Sequence, residues 1–219
     1  MKTKKLVTTA MLLAFALILS LIQLIRLPFG GTVTPASMTP IVILAFVYGT
    51  KWGIFSSFVY SILQMLVGMS TVSAFFLPGE SHMALASAIC ICIIDYIGAY
   101  TALGLAGAFK NRFKTKTTSL CTGVFVALTV KYIMHIISGA VFFGAWAEWF
   151  FTDTSGLMQI DALSGFCAWV MNTFDGYGLA LFYSVIYNGA YMIPEIIITV
   201  IAAPFIYKIL TKAKLLTNT

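Results

Sequence analysis

Residues 118–147 read TSLCTGVFVALTVKYIMHIISGAVFFGAWA, a run with two basic residues, Lys131 and His135, and no acid. At about 1.5 Å rise per residue, roughly 20 apolar residues cross the hydrocarbon core of a bilayer. The stretch therefore reads as a membrane span with two polar groups set into it. Lys131, His135 and Gly139 recur at i, i+4 and i+8 and share one helix face, and Phe142 and Phe143 continue near that face one turn on. Ionisable side chains are costly in hydrocarbon, and they face the bundle interior and mark a site. This run predicts an all-α, polytopic membrane protein that holds a polar ligand between its helices.

The rest of the chain agrees. Hydrophobic residues make up 60% of the 219, charged residues 9%, and the mean hydropathy is +0.98. A soluble domain carries about 25% charged residues. Six spans are expected, at 6–25, 35–50, 52–70, 82–109, 118–147 and 177–207, forming a single membrane domain over 1–219. The second is short and starts near Pro35 and Pro40, which predicts an irregular beginning. Gly49, Lys51 and Gly53 mark a tight turn into the third. The first run is followed by Arg26 and Pro28 rather than by a small-residue cleavage site, so it reads as a retained helix.

The net charge of +6 is a matter of topology. With the N-terminus inside, 11 of the 13 basic residues lie on the inner face, in the N-terminal segment, at Lys51, in the 110–117 loop and at the C-terminus. The outer segments hold Glu80, Glu148, Asp153, Asp161 and Asp175, with Arg26 as their one base. This asymmetry places both termini in the cytoplasm. It also accounts for the basic pI without nucleic acid as a partner.

Two further spans carry polar groups. Asp95 sits near the middle of the fourth and is followed by Tyr96. The sixth has Tyr183, Tyr187 and Tyr191 at i, i+4 and i+8, overlapped by Asn188, Tyr191 and Glu195. Asn188 offers both donor and acceptor, which suits an amide or aminopyrimidine edge. Pro194 has no N–H for the carbonyl of Ala190, so the backbone ladder is expected to loosen there. Lys131 could pair with Asp95 or with Glu195, but one lysine cannot serve both acids fully. The acid left over calls for a cationic or proton-donating ligand. In the first span Ala10 and Ala14 lie one turn apart, a spacing that admits another helix closely.

The four cysteines have no zinc-ligand spacing, and no metal is expected. No internal repeat and no G-x-x-x-x-G-K-[ST] phosphate cradle is present, so energy for active transport would come from another subunit. The outer connection 148–176 is long and aromatic, and it is expected to lie at the interface or to fold over the outer face.

Four segments carry a family resemblance. K-Y-I-M-H-I-I-S-G-A-V-F-F-G and Y-S-V-I-Y-N-G-A-Y-M-I-P closely resemble the thiamine-specific S components (ThiT type) of energy-coupling factor (ECF) transporters. I-I-D-Y-I-G-A-Y-T-A-L-G-L-A-G-A-F resembles that family's acidic-Tyr helix, and F-G-G-T-V-T-P-A-S-M-T-P-I its segment before the second helix. The likeness spans nearly the whole chain apart from the long outer connection. It implies a six-helix, membrane-embedded protein of the cell membrane that captures thiamine outside and performs no enzymatic chemistry. It further implies docking through the Ala10/Ala14 face onto a membrane T component that carries two ATPase subunits. The family's ligand-contacting residues fall on Asp95, Tyr96, His135, Tyr183 and Asn188, its stacking aromatic on Phe143, and an aromatic of the third helix near Tyr60. Asp95 is one methylene shorter than the Glu of some members. A Trp of the first outer loop is missing, with Gly31 near its place. Trp146, Trp149 or Trp169 could compensate for it. Thiamine is a ligand here, and no cofactor is implied.

Other readings are open to the sequence. The same architecture could bind a thiamine precursor, an analogue or another vitamin. D-G-Y-G at 175–178 resembles part of an ion-channel filter, but Thr173, Phe174 and Asp175 precede Gly176 in place of a Thr-Val pair. An intramembrane enzyme would need a nucleophile or metal motif beside His135, Lys131 and Asp95, and none accompanies them.

Overall fold

Helix α1 (Lys2–Leu21) leads into a short antiparallel pairing of β1 (Ile25–Arg26) with β2 (Thr32–Val33), in which Ile25 faces Val33 and Arg26 faces Thr32. The computed structural model describes residues 2–27, 31–79, 81–153, 156–157 and 160–216. Pro28, Glu80 and four positions of the long connection (154, 155, 158 and 159) fall outside them. Then follow α2 (Thr39–Tyr48), α3 (Thr50–Val67) and α4 (Met69–Phe76). A long helix α5 (Leu85–Phe109) and α6 (Lys116–Phe142) come next. The connection contributes α7 (Ala147–Thr152) and α8 (Ser164–Thr173), and α9 (Gly176–Lys212) closes the chain.

Four helices, α1, α5, α6 and α9, are long and apolar enough to cross a membrane, and the bent pair α3–α4 can serve as a fifth span. The second expected span is corrected. Its helix, Thr39–Tyr48, has only ten residues. At about 1.5 Å per residue they cover about half of a bilayer's hydrocarbon thickness. Every residue from Thr39 to Val47 is buried. A helix that is apolar on all sides is one enclosed by its neighbours, and α1, α3 and α5 enclose this one. The third span also departs from its expected course. The chain turns by 72° at Gly68, and α4 leaves the line of α3.

Close backbone approach holds the centre together. A Cβ added to Gly104 of α5 would lie 2.5 Å from the Cα of Ile54 in α3, so the two helices cross with their main chains in contact. Helix α9 packs most extensively on α6 and runs through Pro194 and Pro204 without a break. Its outward stripe of Ile193, Ile197, Ile201, Phe205 and Ile209 is exposed. An apolar exterior of this kind is what lipid requires, and the chain is a multi-pass membrane protein.

Both termini meet at one end of the bundle. Thr8 Oγ1 donates to the carbonyl of Leu215 at 3.3 Å, and Lys5 Nζ lies 4.0 Å from the centre of the Trp52 ring. At the opposite, distal end, the long connection folds onto α9 through aromatic rings. Phe174 stacks on Phe182 with ring centres 4.6 Å apart, and Phe150 meets Tyr183 edge to face at 5.2 Å.

Helix α5 is irregular where it matters most. Residues Cys92–Gly98 form π-helical turns, Ala99–Thr101 return to α geometry, and Ala102–Phe109 tighten to a 3₁₀ helix. Wide π turns within an α-helix are frequent at functional sites, and Asp95 and Tyr96 sit on these.

Candidate functional site

The π turns carry Asp95 to α6. Its Oδ1 lies 2.9 Å from His135 Nδ1, and its Oδ2 accepts from Ser138 Oγ at 2.8 Å. An ionised carboxylate only accepts hydrogen bonds, so the hydrogen of this pair is on Nδ1. In the neutral ring that leaves Nε2 as an acceptor. Nε2 is buried and has no partner among the described residues.

Asn188 ties α9 to the same place. Its Nδ2 donates to Ser184 O at 2.9 Å, to Ser184 Oγ at 3.0 Å and to His135 O at 3.3 Å. Its Oδ1 accepts from Tyr191 Oη at 2.8 Å. The amide donors are thus directed within the protein, and Asn188 braces the helix bearing His135. Gly139 makes the approach possible, because α9 lies directly against it.

These groups surround a cavity of about 140 Å³. Asp95 and Tyr96 of α5 form one wall, and Lys131, His135 and Gly139 of α6 another. Tyr183, Tyr187, Asn188, Tyr191 and Glu195 of α9 form a third. The segment between the hairpin and α2 adds Thr34, Ser37 and Met38. Phe75 of α4 and Phe143 lie at the distal side, edge to face, with ring centres 5.9 Å apart. Beyond them a second hollow of about 510 Å³ is bounded by Arg26, Ser70, His82, Met83, Phe142 and Trp146. The two hollows share Thr71, Phe75 and Phe143, so the outer one, a vestibule, adjoins the inner across these side chains.

Lys131 pairs with neither candidate acid. Its ammonium lies 4.1 Å from the centre of the Tyr100 ring and 3.8 Å from Met192 Sδ. Asp95 takes His135 as its hydrogen-bond partner, and Glu195 is held by the backbone N–H and the hydroxyl of Thr34. By formal charge, the two carboxyl groups of Asp95 and Glu195 outnumber the one ammonium of Lys131 in the lining.

Six of the eight residues assigned to the ligand from sequence line the inner cavity: Asp95, Tyr96, His135, Phe143, Tyr183 and Asn188. Trp146 borders the vestibule instead. Tyr60 is fully buried and meets Tyr100 edge to face at 5.7 Å, outside the cavity lining. Trp169 packs in the aromatic cluster of the long connection, away from both hollows. Gln64, Tyr100 and Phe75 also belong to the lining, beyond the residues expected from sequence. Gln64 was the detectable one, as an amide in an apolar run. Ala10 and Ala14 are exposed on α1.

Comparison with known proteins adds a family. The model of a family described as thiamine transporter protein (Thia_YuaJ) matches residues 6–149. The thiamine transporter ThiT of Bacillus subtilis (strain 168) is 28% identical over 208 residues, covering 90% of this chain and 86% of that protein. The solved structure of ThiT from Listeria monocytogenes shares the fold, with a TM-score of 0.63 and 22% identity over 98% of each chain.

Proposed function

Because this chain belongs to the thiamine transporter protein family, we propose that its inner cavity binds thiamine and that the chain is the substrate-capturing S component of an ECF-type vitamin transporter. Thiamine is a monocation made of a flat aminopyrimidine and a thiazolium ring. The observation that carries the reading is the cavity's charge and surface: one excess carboxylate enclosed by Tyr96, Phe143, Tyr183, Tyr187 and Tyr191. Aromatic faces attract a desolvated cation, and the uncompensated carboxylate neutralises it. Asp95 and His135 contact the ligand, with His135 Nε2 accepting from an N–H or O–H, and Phe143 closes over it. Asn188 keeps His135 in place.

The vestibule supports entry from the distal end. Ligand arrives at the distal, extracellular end and passes Phe75 and Phe143, and both termini lie in the cytoplasm. The chain makes and breaks no bonds. Delivery depends on a membrane T component and two ATPase subunits, which this chain meets through the exposed Ala10/Ala14 face of α1. Calorimetry of the purified protein tests the ligand. Tight, stoichiometric binding of thiamine is expected. Strong heat with a precursor or with another vitamin, and none with thiamine, would reassign the cargo within the same architecture.

A further inference from the structure

The deep part of the cavity holds polar groups that the binding scheme above leaves unused. Glu195 directs Oε1 to Thr34, where it accepts from the backbone N–H and from Oγ1. Its other oxygen, Oε2, is buried without a partner among the described residues, in a side chain only 2% exposed. Gln64 is 7% exposed, and its Nε2 is also buried and unpartnered. Lys131 is 3% exposed and has a ring face and a thioether beside its ammonium, poor partners for three N–H donors.

A buried polar atom without a hydrogen bond is destabilising, and more so when it is charged. Such atoms are rare in folded proteins, and each one calls for an explanation. Here two of them, Glu195 Oε2 of α9 and Gln64 Nε2 of α3, line the same cavity as Lys131 of α6, whose ammonium has a thioether as its hydrogen-bond acceptor. Thr34 fixes the orientation of Glu195, so Oε2 is the oxygen left for something else.

We propose that Glu195, Gln64 and Lys131 form a specificity site for a ligand group that both donates and accepts hydrogen bonds. Glu195 Oε2 accepts the hydrogen of that group, while Gln64 Nε2 and Lys131 Nζ donate to its lone pairs. The identity of the group rests on the thiamine reading. Thiamine has two candidates, the hydroxyl of its hydroxyethyl arm and the aminopyrimidine edge, where an exocyclic amine adjoins a ring nitrogen. A hydroxyl has one hydrogen and two lone pairs, and it would use all three protein groups. The amine edge would use an acceptor and one donor.

The test uses the full-length protein in detergent and three probes. They are thiamine, an analogue with ethyl in place of hydroxyethyl, and an analogue with a 4-oxo group in place of the exocyclic amine. Dissociation constants are measured for the wild type, Glu195→Gln and Gln64→Leu. The wild type is expected to prefer thiamine over one analogue by about tenfold or more, the range for a hydrogen bond to a charged group. Both variants should lose that preference and keep their discrimination against the other analogue. Loss against the ethyl analogue assigns the hydroxyl, and loss against the oxo analogue assigns the amine edge. Gln64→Leu gives an independent reading should Glu195→Gln fold poorly. Unchanged preferences for both analogues, even with weaker binding throughout, would overturn the proposal. A wild type that binds no thiamine would remove the ligand reading, and this assignment with it.

Discussion

Gly139 and Ser184 meet at the crossing of α6 and α9 with no room for a Cβ between them. A Cβ on Gly139 would fall inside contact distance of the Ser184 hydroxyl and 2.9 Å from Asn188 Nδ2. Ser184 cannot swing aside without losing its 2.8 Å hydrogen bond to the carbonyl of Ile136. Gly139→Ala is therefore expected to destabilise the protein by about 1–3 kcal/mol through overpacking. It should also weaken thiamine binding, because Asn188 and His135 shift with α9. Thermal unfolding in detergent and a binding titration check both parts. An unchanged affinity would show that the crossing does not position the site.

Asp95→Asn keeps the size of the side chain and removes its charge. The hydrogen bond that fixes the His135 hydrogen on Nδ1 loses its carboxylate acceptor, and the cavity loses one carboxylate. Thiamine affinity should fall by about 10- to 100-fold, as for loss of one or two charge-assisted hydrogen bonds. A neutral ligand such as the isolated pyrimidine should lose less. Equal losses for the two would remove the electrostatic argument.

Phe75→Ala opens the wall between cavity and vestibule. The Phe75–Phe143 edge-to-face contact contributes about 0.5–1.5 kcal/mol beyond its buried area. Stopped-flow fluorescence should show dissociation of thiamine several-fold faster, with association little changed. If dissociation keeps its wild-type rate, these rings do not close the site.

Replacement of Ala10 and Ala14 together by Trp should abolish uptake in cells and leave thiamine binding intact, since both residues are exposed on α1 and neither belongs to the cavity lining. Normal uptake by this variant would remove the docking assignment.

Cys167 reports on the long connection. It is 1% exposed, and burial pushes its thiol pKa up. Only the thiolate reacts readily, so a water-soluble maleimide should label it slowly. Phe151→Ala should speed labelling by taking away a ring that packs against both Phe166 and Phe182. Fast labelling of the wild type would mean that the connection is not seated on α9 in solution.

The sequence made the site easier to read than the fold. Lys131, His135 and Gly139 share a face by helical spacing alone, as do Tyr183, Tyr187 and Tyr191, and all six line the cavity. The length of α2 was hidden because burial inside protein and burial in lipid select the same residues. The bend at Gly68 was equally hidden, since a glycine in an apolar run gives no direction. Tyr60 and Gln64 lie one turn apart on α3, yet only Gln64 reaches the cavity, while Tyr60 packs against the edge of Tyr100. The grip of Glu195 on Thr34 joins positions 161 residues apart, and no local pattern encodes it. The choice of His135 over Lys131 as the partner of Asp95 depends on the π turns of α5, which composition does not signal.

Those wide turns place a constraint on how the gene can change. Each π turn accommodates an extra residue compared with an α-helix, and one residue in an α-helix turns the chain by about 100°. Deleting a single codon between Cys92 and Gly98 would let the helix relax to regular geometry and swing Asp95 away from His135, with the composition of the span almost unaltered. A one-residue gap in this stretch would mark a relative with a remodelled cavity more sharply than many substitutions elsewhere.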